Sequence, residues 1–273
     1  MGRLGFDFVL HLTFSMPVTH HAFALRCLPG SDERQRLLSA SLRVTPDCPA
    51  AWLADAFGGR VTATVPHPHH ELKVRAEGSV ACRAVNPQAP PVWQLGPYRC
   101  ATKLTMPGPA LTALAQSLPA QNTVQAVMTL LQERFCYLPG STNAHTTAEE
   151  AARTMQGVCQ DEAHVMLALL RLRGIPCRYA MGFMLGEGST HGWVEVAQDG
   201  QWMGLDPTNH RCVGDGYIRI GVGRDANDCP VNRGVFRGSA QQTCESSVRV
   251  WRIDEAEERH DDRDCCAGRA SGG

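Results

Sequence analysis

The strongest constraint on the fold of this chain is a change of hydrophobic period across one proline-dense stretch, NPQAPPVWQLGPY at residues 86–98. Before it, apolar residues alternate with polar ones, as strands with one buried face require. FDFVLHLTF and VTHHAFALRCL are rich in β-formers, LLSASLRVTP alternates, AFGGRVTATV places Gly58-Gly59 at a hairpin turn, and HELKVRAEGSVACRA adds two short strands. After it, apolar residues recur every three or four positions. ALTALAQSL and NTVQAVMTLLQERF read as helices, the second capped by Asn122 or Thr123. TTAEEAARTM is a third, with Thr146 or Thr147 as cap and Glu149 and Glu150 in a first turn that favours anions. GVCQDEAHVMLALLRLRG is a fourth, stopped by Gly174 and Pro176. From Cys177 the alternation returns in CRYAMGFML, HGWVEV, QWMGLD, GYIRIGV and TCESSVRVWRI.

This order predicts an α+β chain in which helices precede an antiparallel sheet, with a small all-β domain in front. The boundaries are residues 1–95 for the β domain, 96–253 for the α+β domain, and 254–273 for a charged, disordered tail beginning DEAEERHDDRD.

A net charge of −1 offers no field for nucleic acid or anionic membrane, and no apolar run approaches the ~20 residues that span a bilayer. MGRLGFDFVLHLTF lacks the parts of a secretory signal. Twelve cysteines without a framework spacing, in a chain read as unexported, predict reduced thiols and a cytoplasmic location. No Cys-x-x-Cys pair exists, and no metal or cofactor site is expected.

Cys159 stands in the first turn of the fourth helix, where unpaired N–H groups and the helix dipole favour a thiolate. Ala163, Met166, Leu167 and Leu170 follow at i+4, i+7, i+8 and i+11, so that face is buried. An inert core cysteine would satisfy the same pattern, and the helix alone does not choose. The next clue lies at Asp199-Gly200, a pair suited to a two-residue type I′ turn. That turn sets Val196 opposite Met203 and Val194 opposite Leu205 on one apolar face. On the other face it sets Trp193 opposite Asp206 and leaves His191 a diagonal neighbour of Asp206, ~7–8 Å away between Cα atoms. A thiol nucleophile needs such an imidazole, held by such a carboxylate.

GVCQDEAH, THGWVEV and WMGLDPTNH resemble the Cys, His and Asp motifs of the transglutaminase-like superfamily, in that chain order. The resemblance continues through GDGYIRIGVGRDANDCPVNRGVFRG and spans residues 6–253, with the N-terminal β region similar to the extra domain of bacterial members. It implies a papain-like core, with Cys159 as nucleophile, His191 as general base and then acid, and Asp206 as the orienting carboxylate. Two departures stand out. Thr190-His191-Gly192-Trp193 replaces the usual Ser-His-Ala-Trp, and Glu162 sits where bacterial members often carry an aromatic residue.

The resemblance implies acyl transfer through a thioester on a peptide or protein amide, with the oxyanion held by the Cys159 N–H and a second donor that the sequence does not assign between Gln156 and Gln160. Water as acceptor gives a protease or amidase; a primary amine gives a cross-linking glutamyltransferase; a binding module that has lost turnover is the third reading. GVGRDAN lacks the helix that a phosphate loop needs. His20-His21 and His67-Pro-His69-His70 read as exposed histidines at a strand entrance rather than metal ligands. Trp193 and Trp202 either wall a groove or cover the core, Arg171, Arg173 and Arg178 answer the helix dipole, and Glu195 reads as structural support.

Overall fold

The computed structural model describes residues 2–253, so the expected tail lies outside the described residues. The N-terminal strands are β1 (Gly2–Leu25), β2 (Gln35–Thr45), β3 (Ala50–Asp55), β4 (Gly58–Val65) and β5 (His69–Cys82). Helices α1 (Pro109–Ser117) and α2 (Thr123–Arg134), a short strand β6 (Cys136–Tyr137), α3 (Ala148–Thr154), β7 (Gln156–Gly157) and α4 (Cys159–Leu172) follow. Strands β8 (Cys177–Met184), β9 (Gly186–Gly188), β10 (His191–Gln198), β11 (Gln201–Asp206), β12 (Arg211–Cys212), β13 (Tyr217–Gly223), β14 (Asn232–Arg237) and β15 (Gln242–Arg252) complete the chain. Helices before antiparallel strands, behind an N-terminal β region, is the α+β order expected.

One run of hydrogen-bonded strands is β12-β11-β10-β8-β13-β4-β1. Helix α4 packs on β8 and β10 and is flanked by α1, α2 and α3. Its residues 161–171 are all buried, which a helix enclosed by a sheet and three helices requires. Thr147 caps α3 through a reciprocal pair with Glu150. Glu149 instead reaches the start of α1, accepting from the N–H groups of Gly108, Ala110 and Leu111 at 2.9–3.1 Å. Asn122 occupies the cap position of α2 without a side-chain bond.

Three differences from the sequence reading have local causes. The first two segments are one 24-residue strand, β1, which bends between Thr13 and Val18. Its first half pairs with β5 and β15, and its second half pairs with β4 and β14. Residues 69–82 likewise form one strand, paired along its length with β1 and β2. The β3–β4 hairpin turns at Ala56-Phe57, because Gly58 is already paired with Asp55. Gly58 is needed for another reason: a Cβ there would lie 2.6 Å from the Ile220 carbonyl oxygen, where β13 crosses β4 at a φ of +125°.

The N-terminal region also grips the other side of the molecule. Buried Arg34 donates to the carbonyls of Val213 and Gly214, Gln35 bonds the backbone of Arg219 in both directions, and Asp32 pairs with the Arg219 side chain. The proline-dense stretch lies against the β10–β11 hairpin through Pro87 O to Trp202 N–H and Ala89 N–H to Gly200 O, each 2.8 Å.

Candidate active site

Cys159 is the first residue of α4 and is partly buried. Asp161 fixes the helix start: its Oδ2 accepts from the Val158 N–H at 2.8 Å and the Thr142 hydroxyl at 2.6 Å. Gly157 is required beside it, since a Cβ there would meet the Asp161 carboxyl at 2.6 Å.

The β10–β11 hairpin turns at Asp199-Gly200 with φ of +51° and +74°, and pairs Val196 with Met203 and Val194 with Leu205. This is the register set by the turn chemistry. At its far end the His191 Nε2 and Asp206 Oδ2 lie 2.8 Å apart, and Cys159 is near enough for its sulfur to act on the ring. Burial works against a charged ring, but the hydrogen bonds and charges of Asp206 and Cys159 outweigh it and raise the His191 pKa to about 9.

Asp206 is fully buried and saturated. Its Oδ2 also accepts from the Tyr217 hydroxyl at 2.6 Å and the Asn209 amide at 2.8 Å, and its Oδ1 from the Asn209 N–H at 3.1 Å. Burial alone would raise this carboxyl, yet His191, Tyr217 and Asn209 hold it below the usual carboxylate range. Tyr217 is oriented in turn by the Arg211 Nε at 2.8 Å. Asn209 lies in the WMGLDPTNH motif, but Tyr217 comes from β13 and carries no local signal in the sequence.

Around this centre stand Glu162, Tyr137 and Tyr179. Glu162 is buried on α4 and accepts from the Thr208 hydroxyl at 2.9 Å. Burial raises the pKa of Tyr137, and the charges of Cys159 and Glu162 add to it. Tyr179, on β8, is raised by burial first and then by the charge of Cys159. Its hydroxyl fills the space a side chain on residue 192 would need, which accounts for glycine there.

The remaining candidates settle into structural positions. Trp193 and Trp202 are buried and line no open groove: Trp193 packs with Ala180, Val213 and Tyr217, and Trp202 lies under the Arg178 guanidinium at 4.1 Å. Glu195 is buried between Arg178 and Arg219 at 2.6 and 3.0 Å, and these arginines overcome burial to hold it at about 2. Arg171 ties loops together through Tyr98, Thr105, Cys177 and Arg224, while Arg173 reaches the Ala115 and Pro119 carbonyls. His21 and His69, expected exposed, are buried and stacked at 5.5 Å beside Phe14, whereas His20, His67 and His70 are exposed. Among the described residues no three His, Cys, Asp or Glu side chains group to hold a metal. The described cysteines are free, and burial pushes Cys27 and Cys177 up to about 12, leaving them poor nucleophiles.

Residues 112–207 match the family model of the transglutaminase-like superfamily core, and residues 7–81 match that of the bacterial transglutaminase-like N-terminal region. An uncharacterized protein of Mycobacterium tuberculosis strain H37Rv is 30% identical over 267 residues, covering 81% of this chain and 84% of that protein. One of Mycobacterium leprae is 28% identical over 274 residues, covering 90% of this chain and 98% of that protein. Among solved structures, a "putative cysteine protease" from Cytophaga hutchinsonii superposes with a TM-score of 0.77 at 23% identity, covering 93% of this chain and 92% of that one.

Proposed function

The chain belongs to the transglutaminase-like superfamily, and from that premise we propose that it is a cysteine hydrolase that cleaves peptide or isopeptide amides through a thioester. The observation that carries this reading is the imidazole of His191, bound through Nε2 to Asp206 at 2.8 Å and close enough to Cys159 for the sulfur to help raise its pKa. With the ring raised to about 9, the thiol proton rests on the imidazole, and the thiolate of this ion pair attacks the substrate carbonyl carbon. The Cys159 N–H, in a helix first turn with no intrahelical acceptor, donates to the oxyanion that forms. When the C–N bond breaks, the imidazolium gives its proton to the leaving amine, and a thioester remains on Cys159. His191 then takes a proton from water as water attacks. Collapse of the second tetrahedral intermediate releases the acid and restores the ion pair.

Asp206 keeps its charge throughout because the Tyr217 and Asn209 bonds stay in place. We take water as the acceptor, since the Glu162 carboxyl and the Thr208 hydroxyl give the surroundings of Cys159 a polar character. The substrate is a peptide or protein. The free thiols fit a reducing compartment, and we place the protein in the cytoplasm.

Mass spectrometry after mixing protein, a glutamine-containing peptide and a primary amine separates the readings. Hydrolysed peptide that vanishes in Cys159→Ala supports the hydrolase. Amine incorporation without hydrolysis replaces it with the cross-linking transferase, and no Cys159-dependent product at all leaves a binding module.

A further inference from the structure

Glu162 is a buried carboxyl that the acyl-transfer steps do not use. It stands at i+3 from Cys159, on the same side of α4, and is 3% exposed. Of the carboxylates at this depth, Asp161 and Asp225 rest on hydroxyl and backbone N–H donors, while two on the β10–β11 hairpin have stronger partners. Glu195 has two arginines, and Asp206 has an imidazole, a phenol and an amide. Among the described residues Glu162 has one hydrogen bond, from Thr208 at 2.9 Å, and no arginine or lysine in ion-pair range. A buried carboxylate without a cation is costly, so it either takes up a proton more readily or meets a cation brought from outside.

The groups around it are Cys159 on the same helix, Asp206 on β11, His191 on β10, Tyr137 on β6 and the Thr208 hydroxyl. Asp206 is a like charge, and His191 is already committed to Asp206 and Cys159. Tyr137 adds a half-exposed aromatic ring, a surface that attracts cations. The geometry points to a cation-binding subsite beside Cys159, in which Glu162, backed by Thr208 and bordered by Tyr137, takes an ammonium or guanidinium group of the substrate next to the attacked amide. The assignment rests on Cys159 as the nucleophile. An aromatic side chain at this position would make the floor apolar, whereas a carboxylate selects by charge. Burial raises Glu162 to about 7, against the Thr208 bond and with Asp206 adding to the rise, so the subsite gains its charge as pH passes neutrality.

The test is charge selectivity at the sulfur, read on the whole protein without turnover. Cys159 is modified with methyl methanethiosulfonate (neutral) and 2-aminoethyl methanethiosulfonate (cationic); the thiolate attacks the sulfenyl sulfur and methanesulfinate leaves. Rates come from mass spectrometry of the Cys159 peptide, each relative to N-acetylcysteine amide in the same mixture. The cationic-to-neutral ratio should fall about tenfold in Glu162→Gln, which retains an acceptor for Thr208. In the unaltered protein it should rise between pH 6 and 8. An unchanged ratio in the variant, or a flat ratio in the unaltered protein, overturns the subsite.

A second arm finds the source of the cation. Peptides differing only by lysine or norleucine beside the cleaved bond report a cation on the acyl donor, and 1,5-diaminopentane against pentylamine reports one on the acceptor. Charge selectivity at the sulfur without any amide turnover leaves the subsite standing and removes the hydrolase reading. Turnover without charge selectivity does the opposite.

Discussion

The Tyr179 hydroxyl occupies the place of a side chain on residue 192: a Cβ built on Gly192 would lie 2.4 Å from it and 3.0 Å from two ring carbons. Gly192 directly follows His191, and Tyr179 pairs with Val194 across the β8–β10 ladder. The glycine in Thr190-His191-Gly192-Trp193 is therefore half of a packed pair. Gly192→Ala should destabilise the protein by about 1–3 kcal/mol through overpacking. Adding Tyr179→Phe should recover part of that loss, because the nearest clashing atom is removed. Urea denaturation of both single variants and the double variant measures the coupling; additive losses would show that the two side chains do not compete for this space.

The His191–Asp206 pair sets a pH window. The imidazole, at about 9 in the folded protein, has an unfolded value near 6.5. A raised folded value means the native state holds an extra proton between those limits. The pair's contribution, on the order of 3 kcal/mol, is fully present below pH 6.5 and is lost as pH rises through 9. Asp206→Asn removes the charge and should flatten this slope while moving the ring toward its ordinary value. NMR titration of the His191 ring, with denaturation curves at pH 6, 7.5 and 9, checks both statements. Amide hydrolysis should fall on the same alkaline limb, since the deprotonated ring has no proton for the leaving amine.

Glu195 carries a second, structural prediction. It lies buried between Arg178, whose guanidinium covers Trp202, and Arg219, whose other partner is Asp32 of the N-terminal region. Removing the central carboxylate leaves two nearly buried guanidiniums facing each other. Glu195→Gln should cost about 3–5 kcal/mol. Asp32→Ala, at the more exposed end of the same chain, should cost about 1 kcal/mol or less. Melting temperatures of the two variants give the comparison, and equal losses would mean the charge chain is not centred on Glu195.

These relationships divide by the range over which they are written. Asp199-Gly200 fixes the β10–β11 register from two adjacent residues, because positive φ at both turn positions permits few connections. The diagonal closeness of His191 and Asp206 follows from that register alone. The starts of α3 and α4 are likewise written in a few consecutive residues around Thr147 and Asp161. By contrast, β1 reads as two strands because its bend interrupts the alternation, while the backbone continues unbroken from one set of partner strands to the next. Tyr217 reaches Asp206 from β13, and Tyr179 reaches Gly192 from β8; neither contact has a spacing that a linear pattern could reveal. The Gly58-Gly59 pair is a misleading turn signal for a physical reason, since Gly58 is glycine to let the β13 backbone approach.

The buried histidines give a prediction of opposite sign to that of His191. His21 Nδ1 and His69 Nε2 lie 3.3 Å apart, with the rings parallel and edge-on to Phe14 and Phe236. Burial, with His69 adding, lowers His21 to about 4. The unfolded chain therefore binds a proton at this site below pH 6.5 that the folded chain does not take up until about 4. Stability contributed here is present above pH 6.5 and is lost as pH falls toward 4. His21→Leu should be less stable than the unaltered protein at pH 7.5, because the His69 nitrogen loses its partner in an apolar surrounding. The difference should narrow as the solution is acidified, because leucine has no proton to gain on unfolding. Denaturation midpoints for both proteins at pH 7.5, 6 and 5 decide the matter. A gap that stays constant or widens at low pH would mean that His21 takes up its proton in the folded state as readily as in the unfolded chain.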